Sequence, residues 1–357
     1  MSVKEFNDII RDTITNEALP GANYVIVTKK KKHFGCLGHK ALIPNIEENT
    51  IDTIYDIASM SKVISTTSCA LKLLEAGKIR LFDPVKRYIP EFKHNTRIYD
   101  LMTHTSGLQP YLAGAAKMST PDEVWNAILN LDLQYEPGSK ILYSCINYIT
   151  LGKLIERVSG KTLDQFAKEN VFEPLEMNDT CYNPKDINRV APTEERNDTV
   201  YQGVLRGRVH DEMAYALGGV SGNAGVFSTV EDISHFIEMV LNDGVYKGKR
   251  IFSKATIDLL FTPQVKETHG VYLNEELRSI GWIVRGASSS AGELTSANTI
   301  LHTGFTGTNI FIDRINRVGF TMLTNRVHPT RENVKVIPFR AKLGNYIIAN
   351  FGGRNGN

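Results

Sequence analysis

Hydrophobic and polar positions at the start of the chain change from a helical period to a strand period. The first segment, up to about residue 18, carries apolar side chains one helical turn apart, and this spacing predicts an amphipathic helix. The apolar run YVIVT follows, and four lysines, Lys29 to Lys32, separate it from HFGCLG. Two strand-like runs around a charged turn predict a hairpin with a solvated tip. A further short strand is predicted in TIYDIAS.

Helical spacing dominates the next part of the chain. In the run that begins at Ser59, apolar residues recur at helical spacing, and Gly77 is placed to end the helix. The segment TPDEVWNAILNLD has Thr120 as its expected N-cap, and INYITLGKLIERVSG ends on Gly160. Another helix is predicted in TLDQFAKENVF. The middle of the chain is therefore expected to be mainly helical.

The last third of the chain returns to strand-like segments, SIGWIVRG, TNIFIDRI and VGFTMLTN, and closes with a helix in FRAKLGNYIIANF. Strands near both ends with helices between them predict an α+β fold. In this fold an antiparallel sheet is flanked by the terminal helices and carries an inserted, mainly helical region. We expect a sheet domain from residues 1–76 and 188–357, a helical domain from residues 77–187, and a site at their interface.

Composition narrows the class of protein further. The 357 residues are 42% hydrophobic and 22% charged, which is typical of a globular chain that buries a sizeable core. A net charge of +2 is too small to indicate nucleic acid or an anionic membrane as a partner. No apolar run is long enough to span a bilayer, and the N-terminal stretch lacks the apolar core of an export signal. We therefore expect a cytoplasmic protein.

Metal and disulfide chemistry are not indicated by the sequence. The four cysteines form no C-x-x-C pair, so we expect free thiols. The histidines show no H-E-x-x-H spacing, so we expect no metal, and no other cofactor is predicted. The oligomeric state is left open.

The stretch DIASMSK contains the first candidate for chemistry. Ser59 and Lys62 are three residues apart on one helix face, with Cβ atoms about 5–6 Å apart. A lysine there can act as a base toward the serine if burial and the helix dipole lower its pKa. This is the only S-x-x-K in the chain, whereas Ser61 is followed three positions later by Ile64. Because serine and lysine are common, an ordinary helix start remains the alternative for this motif alone.

Two later stretches add to this candidate. Tyr143 stands in YEPGSKILYS just before a predicted helix, and His302, Thr303 and Gly304 stand in ILHTGFTGT between two predicted strands. In this order the motifs resemble those of the class C serine beta-lactamases, the low-molecular-weight penicillin-binding proteins and their esterase relatives. The flanking stretches PGANYVIV, LMTHTSGL and FEPLEMNDT extend the resemblance over nearly the whole chain.

The resemblance implies an acyl-enzyme mechanism. Ser59 would attack a carbonyl carbon, and Lys62 with Tyr143, as phenolate or proton relay, would activate it. The backbone N–H groups of Ser59 and Phe305 would form the oxyanion hole. His302 would stand where many relatives have a lysine, in a His-Thr-Gly form found in the esterase-like branch. The implied substrate-binding residues are His302, Thr303, Gly304, Phe305 and Cys145.

The chain departs from the family pattern at Cys145, where the lactamases have an asparagine that steadies the lysine and binds a substrate amide. A thiol is a poor donor and acceptor in that role. Asn223, in GGVSGNAG, either lines the pocket or shapes the backbone. The leading interpretation is an esterase on small acyl esters. The alternatives are a D-Ala-D-Ala carboxypeptidase, a beta-lactamase, or a non-catalytic penicillin- or peptide-binding protein, so the expected partner is a small ester, peptide or beta-lactam.

Overall fold

The computed structural model describes residues 3–16, 19–269, 274–286 and 289–353. The strands are β1 Gly21–Thr28, β2 Lys32–Ala41, β3 Glu47–Glu48, β4 Tyr55–Asp56, β5 Cys181–Tyr182, β6 Glu195–Asn197, β7 Gln202–Val204, β8 Val226–Ser228, β9 Val245–Tyr246, β10 Lys249–Arg250, β11 Val265–His269, β12 Asn274–Arg278, β13 Ile283–Val284, β14 Thr299–Thr303, β15 Asn309–Asp313 and β16 Val318–Thr324. The α-helices are α1 Val3–Thr15, α2 Ser68–Glu75, α3 Ile98–Met102, α4 Pro121–Asn130, α5 Cys145–Ser159, α6 Leu163–Ala167, α7 Glu212–Ala216, α8 Val230–Leu241, α9 Lys254–Phe261 and α10 Phe339–Phe351.

The strands near the two ends of the chain form one large sheet. Among the described residues, it has nine strands in the order β11-β12-β13-β14-β15-β16-β1-β2-β3. Neighbouring strands are antiparallel, and Tyr24 of β1 lies opposite Met322 of β16 on one side and Gly35 of β2 on the other. The α+β fold with an antiparallel sheet, expected from the sequence, is confirmed.

The two faces of this sheet are covered by different helices. Tyr24 and Ile26 of β1 belong to a core shared with the terminal helices α1 and α10, and so confirm the flanking helices predicted at both ends. Val25 and Val27 point to the opposite face, where α8 packs against β1 and β16. The period of two along β1 therefore places one set of side chains in each core.

The helical region is organised around α5, which contacts α2, α3 and α6. This helix begins after Ser144, whose hydroxyl accepts a hydrogen bond from the Asn147 N–H, and it ends at Gly160 with a φ of 70°. Helix α4 begins after Thr120, as predicted, with reciprocal contacts between Thr120 and Glu123. Helices α3 to α6 all lie between residues 98 and 167. The division of the chain at residues 77 and 188 stays a prediction.

Several element bounds differ from the sequence prediction. Within SIGWIVRG only Ile283–Val284 pairs as a strand, because the residues before it form the turn that joins β12 and β13. The Gly-rich passage near residue 220 leads into α8, which begins after the capping residue Thr229. The segment TLDQFAKENVF continues α6 through wider turns over Lys168–Phe172. Within the described ranges, no helix combines the length and apolar character needed to cross a membrane.

Candidate active site

A helix over residues 58–75, here called helix 58–75, places the S-x-x-K motif. It starts with a tight turn, Ala58–Met60, widens over Lys62–Thr67 and continues as α2. Ala58 has a φ of 47°, a left-handed conformation that is uncommon for a residue other than glycine. Its N–H donates to the buried carboxylate of Asp56 over 2.8 Å, which fixes this conformation. Ser59 follows directly and is partly exposed to solvent.

Lys62 is fully buried at the centre of the site. Its Nζ lies 3.1 Å from the Ser59 hydroxyl, 3.4 Å from the Cys145 sulfur and 2.8 Å from the backbone oxygen of Asn223. An ammonium group has three N–H donors, so each of these acceptors can take one. The structure therefore brings the expected serine and lysine into direct contact.

The pKa of Lys62 differs from the expectation that burial and the helix dipole would lower it. Burial does lower this pKa, but the ionisable Cys145 thiol and Tyr143 hydroxyl beside it act in the opposite direction, and the net shift is upward. The protonated amine is favoured because it stabilises a negative charge on either neighbour. Lys62 is thus suited to hold its proton while another group accepts the proton of Ser59.

Tyr143 is the residue placed to accept the proton of Ser59. The Lys62 Nζ lies 5.1 Å from the centre of the Tyr143 ring, and the ring is packed between His104 and His302 at centroid distances of 4.7 and 6.2 Å. The pKa of Tyr143 is raised, because burial raises it and the charge of Lys62, together with the proximity of the Tyr143 hydroxyl to Lys62 and Ser59, offsets only part of this rise. The tyrosine hydroxyl therefore lies within reach of both the serine and the lysine.

His104 holds the loop that carries Tyr143. Its Nδ1 accepts a hydrogen bond from the Ser144 N–H over 3.1 Å, and its backbone oxygen accepts from the Leu142 N–H over 2.8 Å. Burial and nearby positive charges lower the pKa of His104 well below its usual value. The His104 ring is therefore neutral, which suits a residue that holds the backbone on both sides of Tyr143.

The turn between β14 and β15 lies against the backbone that precedes Ser59. A Cβ atom on Gly304 would lie 2.6 Å from the Ile57 oxygen and 3.3 Å from the Ala58 Cβ, so only glycine permits this approach. The side chain of Thr308 extends the contact, since its hydroxyl donates to the Ile57 oxygen over 3.1 Å. Thr303 at the end of β14 is partly exposed on the same edge of the site.

Two buried guanidinium groups hold the backbone of this turn from behind. Arg326 Nε donates to the Phe305 oxygen over 2.9 Å, and Arg340 Nη2 donates to the Gly304 oxygen over 3.1 Å. Burial lowers the pKa of Arg340 to about 10. The Phe305 N–H has no acceptor among the described residues. Ser59 lies in the first helical turn, where N–H groups lack intrahelical partners. Both groups are therefore available to a substrate oxygen.

His302 is buried beside Tyr143 and carries no charge at neutral pH. Its Nδ1 lies 2.9 Å from the Thr303 oxygen, which fixes the ring. Burial together with the positive charges of Lys62 and Arg278 lowers the pKa of His302 to about 3. A lysine at this position would add a positive charge to the pocket, whereas His302 does not.

The structure brings together all the residues expected from the sequence and adds one that sequence reasoning missed. The Asp56 carboxylate accepts from the N–H groups of both Ala58 and His210 at 2.8 Å, and the Thr306 hydroxyl donates to the Asp56 backbone oxygen. Asp56 thereby ties three distant segments together behind Ser59. Its only sequence signal is an acidic residue at the end of an apolar strand, three positions before the serine.

Comparison with known proteins places these motifs in a family. The family model described as Beta-lactamase matches residues 6–345. A curated relative from Escherichia coli (strain K12), named "Putative D-alanyl-D-alanine carboxypeptidase", is 32% identical over 337 residues, which are 85% of this chain and 76% of the relative.

Solved structures confirm the fold at low sequence identity. The octameric penicillin-binding protein homologue from Pyrococcus abyssi is 21% identical, with a TM-score of 0.77 over 99% of this chain and 78% of that one. EstCE1, described as a hydrolase with promiscuous acyltransferase activity, is 20% identical, with a TM-score of 0.73 over 95% of this chain and 97% of that one.

Proposed function

The chain belongs to the Beta-lactamase family and is a serine hydrolase, and from this premise we propose that it works through an acyl-enzyme on Ser59. The observation that carries the proposal is the 3.1 Å contact between Lys62 Nζ and the Ser59 hydroxyl. Tyr143, within reach of both, acts as the general base, and Lys62 stabilises its phenolate form.

The geometry supports a two-step reaction. Ser59 Oγ attacks the substrate carbonyl while its proton passes to the Tyr143 oxygen, and the carbonyl oxygen becomes negative between the Ser59 and Phe305 N–H groups. The leaving group takes the proton from Tyr143 as its bond to the carbonyl carbon breaks. A water molecule then gives its proton to Tyr143, attacks the acyl carbon and releases Ser59 as the free hydroxyl.

Small, uncharged acyl esters are the substrates that we favour. Recognition of a substrate carboxylate benefits from a nearby positive charge. The neutral His302 does not supply one, and the two cations beside it already have partners, since Arg278 forms an ion pair with Glu276 and Lys62 contacts Ser59, Cys145 and Asn223. Cys145 supplies no amide for a substrate that needs a firm hydrogen bond at this position. An ester has a better leaving group than a peptide and depends less on such contacts.

A D-Ala-D-Ala carboxypeptidase is the second candidate, because the curated relative that is 32% identical carries that name. The two activities can be separated by measuring kcat/KM for p-nitrophenyl butyrate, an N-acylated D-Ala-D-Ala peptide and nitrocefin with the same enzyme. We expect the ester to have the highest value. A higher value for the peptide or nitrocefin would replace the esterase assignment. Binding of all three without turnover would instead support a non-catalytic binding protein.

A further inference from the structure

The side chain of Arg340 is a buried cation without an acidic partner. The residue is 7% exposed, and among the described residues the one charged group that acts on it is Arg326, which is also positive. Its Nε is buried and has no acceptor in the part of the chain that the structure describes. Arg340 also lies in the first turn of α10, where the helix dipole disfavours a positive charge. Because each of these features costs free energy, the stability of the fold does not explain this arginine.

The guanidinium group of Arg340 stays charged and contacts the backbone of the turn between β14 and β15. Burial and Arg326 lower the pKa of Arg340 to about 10, which leaves the group protonated at neutral pH. Its Nη2 donates to the Gly304 oxygen over 3.1 Å and to the Thr308 oxygen over 3.2 Å. The positive charge is therefore held against two carbonyl groups of this turn.

The carbonyl group of Gly304 belongs to the same peptide as the N–H of Phe305, the expected donor to the substrate oxygen. This peptide is trans, so its C=O and N–H point in opposite directions. Arg340 therefore lies on the side of the peptide away from the substrate and acts through the peptide rather than by contact. A cation that donates to the carbonyl oxygen polarises the peptide and makes its N–H a stronger donor.

The shape of the turn is also fixed by hydrogen bonds that do not involve Arg340. The Gly304 oxygen accepts from the Gly307 N–H over 3.1 Å, and the Gly304 N–H donates to the Thr308 oxygen over 2.8 Å. The Thr308 hydroxyl in turn donates to the Ile57 oxygen. Loss of the guanidinium group leaves these bonds in place, so it should change the charge behind the turn more than the geometry of the turn.

We propose that Arg340 is a positioning residue that polarises the peptide between Gly304 and Phe305 and so strengthens the Phe305 N–H as a donor to the negative oxygen of the transition state. This inference rests on the proposed acyl-enzyme function at Ser59 and adds to its oxyanion site a residue that touches no reacting atom. The stabilisation is greatest when the substrate oxygen is negative, so Arg340 should act on kcat rather than on KM.

The test titrates a negative oxygen in the site directly, with an alkyl trifluoromethyl ketone that carries ¹³C at its carbonyl carbon. Ser59 Oγ bonds to this carbon, the serine proton passes to Tyr143, and the carbonyl oxygen becomes the oxygen of a hemiketal. The ¹³C chemical shift, measured against pH, gives the pKa of that oxygen. We expect Arg340→Met to raise this pKa by about one pH unit and to lower kcat for p-nitrophenyl butyrate about tenfold, with little change in KM.

The matched control is Arg326→Met. Arg326 is likewise a buried guanidinium group that donates to this turn, but its Nε contacts the Phe305 oxygen, which belongs to the next peptide. If the two arginines only hold the turn, both variants should shift the hemiketal pKa equally, whereas polarisation predicts a larger shift for Arg340→Met. Arg340→Lys keeps the positive charge, so we expect it to return the hemiketal pKa part of the way to the parent value.

The outcomes separate the inference from the function on which it rests. An unchanged hemiketal pKa in Arg340→Met, or equal shifts in Arg340→Met and Arg326→Met, would overturn the role of Arg340 while leaving the acyl-enzyme intact. If the parent formed no hemiketal and hydrolysed no ester, the proposed function itself would fail, and the inference with it. Should Arg340→Met fail to fold, the neutral but polar Arg340→Gln takes its place, and a parental hemiketal pKa in that variant would equally overturn the proposal.

Discussion

The carboxylate of Asp56 accepts a hydrogen bond from the backbone N–H of Ala58 over 2.8 Å and so fixes the residue directly before Ser59. Ala58 is held in a left-handed conformation, and the same carboxylate accepts from the His210 N–H on the far side of the site. The nucleophile is therefore positioned by a buried carboxyl group, whose pKa is raised by burial, rather than by the helix alone. A substitution at Asp56 should therefore disturb the geometry at Ser59 and the reaction rate together.

We expect Asp56→Asn to lower both stability and rate. Asparagine can accept from only one of the two N–H groups and presents its own NH2 to the other, which costs about 2 kcal/mol of unfolding free energy. The displaced Ala58 should reduce kcat about tenfold or more with little change in KM. Urea unfolding and steady-state ester hydrolysis check both effects.

A matched control for this prediction is Asp232→Asn. Asp232 is likewise a buried carboxylate that accepts from a backbone N–H, that of Asp179, and from the Thr180 hydroxyl. The Asp232→Asn variant should lose stability but should not show the fall in kcat that we expect for Asp56→Asn. A similar fall in kcat for both variants would contradict a special role for Asp56.

Gly304→Ala should disable the site by moving the turn between β14 and β15. The new Cβ would lie 2.6 Å from the Ile57 oxygen, so the turn must shift away from Ser59 and carry the Phe305 N–H with it. Displacing one oxyanion donor is expected to reduce kcat about 100-fold. Gly114→Ala serves as a control for a loss of stability without movement of this turn, since its φ of 75° strains an alanine while the new Cβ meets no atom within 4 Å. A Gly304→Ala enzyme with near-parental kcat would exclude this turn from the oxyanion site.

Acid stability should depend on His302. Its pKa is about 3 in the folded protein, below the value near 6.5 of an unfolded chain, so the unfolded state binds a proton first as the pH falls. Stability from this residue is therefore full above pH 6.5 and is lost toward pH 3. Between pH 7 and pH 4 the loss is about 3 kcal/mol. Urea unfolding at both pH values should show a smaller decrease for His302→Gln than for the parent, and equal decreases would refute the neutral, buried histidine.

The features that the sequence predicts depend on residues close together in the chain, whereas the features that were missed depend on residues far apart in the chain. Helix α10, Phe339–Phe351, has the bounds read from the sequence, and Gly160 ends α5 as predicted, because both depend on local period and capping. The expected lowering of the Lys62 pKa is wrong, because burial, which lowers it, is outweighed by Cys145 and Tyr143, both of which are distant from Lys62 in the sequence. The contact between Lys62 and Asn223 spans 161 positions and leaves no local signal.

Tyr143→Phe should separate the tyrosine from the lysine in the mechanism. If the phenolate is the base, kcat/KM of the parent for a p-nitrophenyl ester should rise with pH from 7 to 9, since burial raises the pKa of Tyr143. Removing the hydroxyl should reduce the rate about 100-fold or more and abolish this rise, while the melting temperature changes little. A flat profile for the parent, or a full-rate Tyr143→Phe enzyme, would remove tyrosine from the reaction.

The central claim is that Ser59 is the residue that becomes acylated, and intact-mass measurement after treatment with a fluorophosphonate tests it most directly. Ser59 Oγ attacks phosphorus and fluoride leaves, so the parent should gain one adduct. Ser61→Ala is the matched control, because this neighbouring hydroxyl contacts the Val226 N–H rather than Lys62. We predict one adduct on the parent and on Ser61→Ala, none on Ser59→Ala and little on Lys62→Ala. Equal labelling of Ser59→Ala, or loss of the adduct only in Ser61→Ala, would contradict the account.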